Sequence, residues 1–155
     1  MANFRLRGSL NGEDIVGVVK DVVSGTAASI SIGDLVVPDD GDAGYVRLIA
    51  DGEVIAAAYR VYLAVSASDE TAGEDGTVKL LYAPNMVLEG TAATPANLAQ
   101  AVIDTIVTVD VSGDDITVDE NDTTNGFLRI KRPEGGAGNF DTDDGIMEVI
   151  ANPTN

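Results

Sequence analysis

Short apolar runs with a period of two recur along this chain, and each is closed by a Gly- or Asp-bearing turn. The clearest case is "RVYLAVSASDETAGEDGTVKLLYAPN", residues 60–85. Val61, Leu63 and Val65 fall on one face of a strand, and Val78, Leu80 and Tyr82 on one face of the next. The polar stretch 66–76 between them is a loop at the solvent-exposed tip of a hairpin. A chain patterned in this way cannot bury its apolar residues as helices, because a period of two covers no helical face. Further strands are expected at 14–23, with Gly17 as a bulge, and at 30–38, bent at Gly33–Asp34 and stopped by Pro38. Residues 45–50 alternate, and the turn dipeptide Asp51–Gly52 leads into a continuation over 53–60. Residues 106–111 and 115–120 form a second hairpin, and 127–132 and 146–151 add two more strands.

One helix is expected, over about 95–104 in "TPANLAQAVIDT". Thr94 caps it, Pro95 suits its first position, and Leu98, Ala101, Val102 and Thr105 line one side. The pattern predicts a mainly β fold: a small β-barrel or sandwich-like domain with one short α-helix. The organisation expected is an N-terminal arm over 1–13 and one β-rich domain over 14–155, with a candidate sub-boundary near 90.

Composition narrows the chemistry. The 155 residues contain no Cys and no His. This removes thiol nucleophiles, disulfides and Cys-zinc sites, together with the commonest general base near neutral pH. Seven Ser are present, but Lys20, Lys79 and Lys131 form no Ser-x-x-Lys motif with any of them. No catalytic residue and no cofactor is expected, and the chain reads as a non-enzyme. The net charge of −17 disfavours nucleic acid and anionic lipid as partners. No run approaches the length of a membrane span, and "MANFRLRGSLNG" is not a signal peptide, so synthesis in the cytoplasm is expected.

The acids gather at Asp39–Asp40–Asp42, Asp114–Asp115, Asp119–Glu120–Asp122 and Asp141–Asp143–Asp144. None fits a twelve-residue EF-hand loop, and Asp is a favoured turn residue because its side chain bonds nearby backbone. Turns rather than metal sites are expected there. The Gly-rich loop 133–145 lacks the phosphate-binding pattern GxxxxGK[ST]. The segment "NFRLRG" stands out, because it joins an aromatic to two Arg ahead of any acid. Phe4, Arg5 and Arg7 are therefore the candidate contact residues for a partner.

The order of segments resembles the decoration, or cement, proteins of tailed-bacteriophage heads. The resemblance is carried by the short basic N-terminus, "ISIGDLVVPDDG", "RVYLAVSASDETAGEDGTVKLLY", "LEGTAATPANL" and "TTNGFLRIKR". It implies a small β-barrel or β-tulip domain on the outer capsid surface, often as a trimer. It also implies an N-terminal arm reaching neighbouring subunits, with the major capsid protein as partner and the virion as location. Other readings of the same residues are an acidic DNA mimic that inhibits a host protein, a Ca²⁺-binding surface module, and another auxiliary virion component such as a head-fibre base or tail protein.

Overall fold

In a computed structural model, residues 3–25, 29–53, 60–124, 126–131 and 139–154 are described. Eleven strands are present among them: β1 (Arg5–Ser9), β2 (Val16–Val22), β3 (Leu35–Pro38), β4 (Val46–Leu48), β5 (Tyr62–Ala64), β6 (Gly76–Tyr82), β7 (Met86–Thr91), β8 (Ile106–Ser112), β9 (Asp115–Asp119), β10 (Leu128–Ile130) and β11 (Ile146–Ala151). They form two antiparallel sheets, one of order β1-β7-β11-β10-β8-β9 and one of order β2-β6-β5-β3-β4. The arrangement is sandwich-like, as the alternating pattern predicts.

The second sheet is rolled. Its two edges meet at a single parallel bridge, Asp21↔Tyr45, so it approaches a barrel without closing one. Val22, Ile30, Val36, Val46, Tyr62, Ala64, Val78 and Leu80 fill the inside of the roll. The opposite face of its central strands presents Leu35, Val37, Val61 and Leu63 to the first sheet. There they meet Met86, Leu88, Val107, Val109, Leu128, Ile130 and Val149 in the larger core. Strands β3 and β5 are thus apolar on both faces because they lie between two cores, and their sequences read as unbroken apolar runs for that reason.

Turn residues fix the connections. Gly113 takes φ 62° at the first central position of the β8–β9 hairpin, where Ser112 pairs with Asp115, as a type II′ turn requires. Asn152 also has positive φ, and its side chain laces the sheets together. Its Oδ1 accepts the Val61 N–H at 2.8 Å, and its Nδ2 donates to the carbonyls of Val61 and Ala83.

Several expectations are corrected. Residues 95–104 form no α-helix but two 3-10 turns, Pro95–Asn97 and Gln100–Val102. Leu98 and Ala99 between them are extended, because Leu98 is drawn into the larger core at 3% exposure. Gly17 pairs with Leu81 in an unbroken β2–β6 ladder, so it makes no bulge. The bulge lies in β1, between Leu6 and Gly8. Over residues 5–9 the segment expected as a free arm is an edge strand paired to β7. The position near 90 falls inside β7, which pairs with both β1 and β11. Residues 54–59 of the strand expected over 53–60, and 133–138 of the Gly-rich loop 133–145, lie outside the described residues.

Candidate functional site

The N-terminal trio is split by strand alternation. Phe4 is 1% exposed and belongs to the larger core, while Arg5 and Arg7 point outward. The Phe4 ring lies over Gly90 of β7, where an added Cβ would come within 2.5 Å of it. The Phe4 N–H donates to the Gly33 carbonyl at 2.9 Å. Asn3 donates its side-chain amide to the Asp34 carboxylate and to the Asp114 carbonyl, each at 2.9 Å. Phe4 is therefore an anchor of β1 and is withdrawn from any partner. Arg5 and Arg7 remain available.

Alternation sets the rest of their face. In β11, Met147 and Val149 enter the core, so Glu148 points out. In β10, Leu128 and Ile130 enter the core, so Arg129 points out. Register then places Arg5, Glu89 and Glu148 side by side across β1, β7 and β11. Lys131, just past β10, continues the row: its N–H donates to the Glu148 carbonyl, and its Nζ lies 3.5 Å from the Glu148 carboxylate. Arg7, the extra residue of the bulge, pairs with Glu89. The Glu89 carboxylate, by hydrogen bond and charge, holds the Arg7 guanidinium above its ordinary pKa. Arg5 and Arg129 have no side-chain partner among the described residues. Ile106 and Ile146 add exposed apolar surface to this face.

Four of the chain's nine bases thus gather on the outer side of the four strands β1, β7, β11 and β10, against two acids, while on β8 and β9 of the same sheet alternation turns Asp110, Asp115 and Asp119 outward. This four-stranded patch nets +2 of a total of −17, which leaves −19 on the rest of the chain, Asp110, Asp115 and Asp119 of the adjoining strands included. Two of the described bases elsewhere are otherwise engaged. Arg47 makes a two-pronged pair with Glu53, at 2.9 and 2.8 Å, and Arg60 lies 4.7 Å over the Tyr82 ring. The seam of the rolled sheet is acidic. There Asp75 accepts the Ser24 N–H and the Tyr45 hydroxyl, which pull its carboxyl below the usual range, with Asp21 and Asp42 nearby.

The acid clusters are turn-builders in this fold. Asp39, Asp119, Asp122 and Asp141 each accept a backbone N–H two residues on. Among the described residues, no group of three or more Asp, Glu, His or Cys is placed to hold a metal ion, and no helix is long and apolar enough to cross a membrane.

Arg129, Glu89 and Glu148 are not among the sequence candidates, and Lys131 enters there only as a possible partner for Ser, although the alternation of "LRIK" and "MEVI" marks Arg129, Lys131 and Glu148 as outward residues. What alternation could not say is that β1, β10 and β11 share one sheet. Compared with known proteins, the chain matches no family model, no curated protein and no solved structure.

Proposed function

We propose that this protein is a non-catalytic structural component of a tailed-phage virion that seats on the outer surface of the capsid and stabilises it. The observation that carries the reading is the segregation of charge: a cationic patch over β1, β7, β11 and β10 containing Arg5 and Arg7, on a chain that is otherwise strongly acidic. A rigid sheet face suits docking on a folded protein, because little order has to be gained on binding. The excess acid on the remaining surface suits the outside of a shell packed with DNA, where contact with the nucleic acid would be unfavourable. The resemblance of the sequence segments to head decoration proteins supplies the virion context and the expectation of a homo-oligomer, with a trimer favoured. Many copies acting together would allow each interface to be modest.

The test is co-sedimentation of the purified protein with heads assembled without it, together with the thermal survival of those heads. Saturation near one copy per capsid subunit, with heads that withstand more heat, is expected. Heads that neither bind the protein nor gain heat resistance would remove the reading.

A further inference from the structure

We infer that the cationic face recognises a pair of carboxylates on a folded protein surface, with Arg5 and Arg129 as the two reading residues. The inference rests on the docking role proposed above and names its chemistry. Of the four bases on the face, Arg7 and Lys131 are already held by Glu89 and Glu148. These internal pairs stiffen the middle of the face and neutralise its acids. Arg5 and Arg129 are left with unused forks of donors, one at the β1 edge and one on β10. Three strand spacings and a two-residue offset separate them, roughly 15 Å from Cα to Cα. Val87 and Ile150 lie between, almost fully covered, so this part of the face is firm.

A guanidinium fork matches a carboxylate in two-pronged geometry, and Arg is enriched at interface centres. Phosphate would fit the same fork. A polyphosphate or anionic membrane, however, would also meet the −19 carried by the rest of the chain. A local pair of carboxylates on a protein meets only the face.

The experiment uses the full chain and heads lacking it. Arg5→Glu/Arg129→Glu is compared with Lys20→Glu/Lys79→Glu, which makes the same change of net charge away from the face. The first should weaken binding at least ten-fold and the second by less than two-fold. In parallel, Arg5→Lys and Arg129→Lys place primary amines on the face. A zero-length carbodiimide should join them to Asp or Glu of the capsid protein. Failure of the unaltered protein to bind heads overturns the docking role and this inference together. Binding that survives the Arg reversals, or cross-links only through Lys20 and Lys79, overturns this inference alone. Retention on phosphatidylserine vesicles or DNA that the Arg reversals abolish would assign the face to phosphate and overturn the carboxylate assignment.

Discussion

Gly90→Ala should destabilise the fold although it adds only one methyl group to a strand, and the reason is Phe4. The Gly90 backbone is not in the left-handed region, so Ala meets no conformational barrier there. The methyl group would lie 2.5 Å from one Phe4 ring carbon and 2.8 Å from another. Overpacking of this kind costs about 2 kcal/mol when the neighbour is itself confined. Phe4 is confined, at 1% exposure and with its N–H bonded to Gly33. Phe4→Ala alone should cost about 3–4 kcal/mol through the lost burial and the cavity left behind. In that background the ring is gone, and Gly90→Ala should be neutral or stabilise by about 0.5 kcal/mol through a less flexible unfolded chain. The double-mutant cycle, read by urea unfolding with unchanged m-values, should therefore show a coupling near 2 kcal/mol. Phe4→Leu serves as a milder background. Equal losses from Gly90→Ala with and without the ring would refute the argument that Phe4 is what excludes a side chain at 90.

Glu53 is 8% exposed, faces Arg47 with both oxygens, and also accepts the Ala50 N–H at 2.8 Å. Glu53→Ala should therefore cost about 3 kcal/mol in urea unfolding by leaving the half-buried guanidinium only the exposed Asp40 at 3.3 Å, and a loss under 1 kcal/mol would count the pair as surface-like. Asn152→Gly keeps the positive φ but removes three side-chain hydrogen bonds between the sheets, so thermal unfolding should show a loss of about 2–3 kcal/mol. Burial holds the Asp34 carboxyl above its ordinary 3.8, and the bonds from Ser31 and Asn3 offset this only in part. Its contribution to stability is therefore full below 3.8 and is lost as pH rises through the raised value. Asp141, held down chiefly by the Asp144 N–H, does the reverse: its contribution is present above 3.8 and is lost as pH falls. Carboxyl NMR titration should order Asp34 above Asp141, and the opposite order would refute both assignments.

The strands legible in the sequence are those whose register is set locally. The β8–β9 hairpin is written in alternating valines and a Ser-Gly-Asp turn, and it forms as written. Strand β11 is likewise plain in "IMEVIA". Two strands escaped for physical reasons. In β7, "MVLEGT", Gly90 reads as a loop residue, but it is a socket for a ring supplied from 86 positions away. In β1, the alternation of Phe4 and Leu6 against Arg5 and Arg7 was visible. Nothing local reveals that β7 waits to pair with it. The 94–105 segment carries helical signals, yet a lone helix of that length is marginal and tertiary contacts decide its form. Here the buried Glu120 carboxylate takes the Thr94 N–H and the Asn97 side chain, and Leu98 leaves the helical path for the core. For the candidate site, the sequence made Arg5 and Arg7 conspicuous but gave Phe4 the same role. Only the strand pairing separates the anchor from the readers.

The placement of β1 has a consequence for how the chain is made. Strand β1 leaves the ribosome before the ten other strands, yet 82 positions separate Arg7 from Glu89, its partner on β7. The rolled sheet, β2 to β6, is complete in sequence by Tyr82 and has no need of β1. The earliest of these strands to be made is therefore among the last to be seated, and Phe4 has no socket until Gly90 has emerged. Through that interval the nascent chain carries an unburied aromatic ahead of β2. The face that Arg5 helps to build comes into existence only when β11, the last of the eleven strands in chain order, has been laid alongside β7.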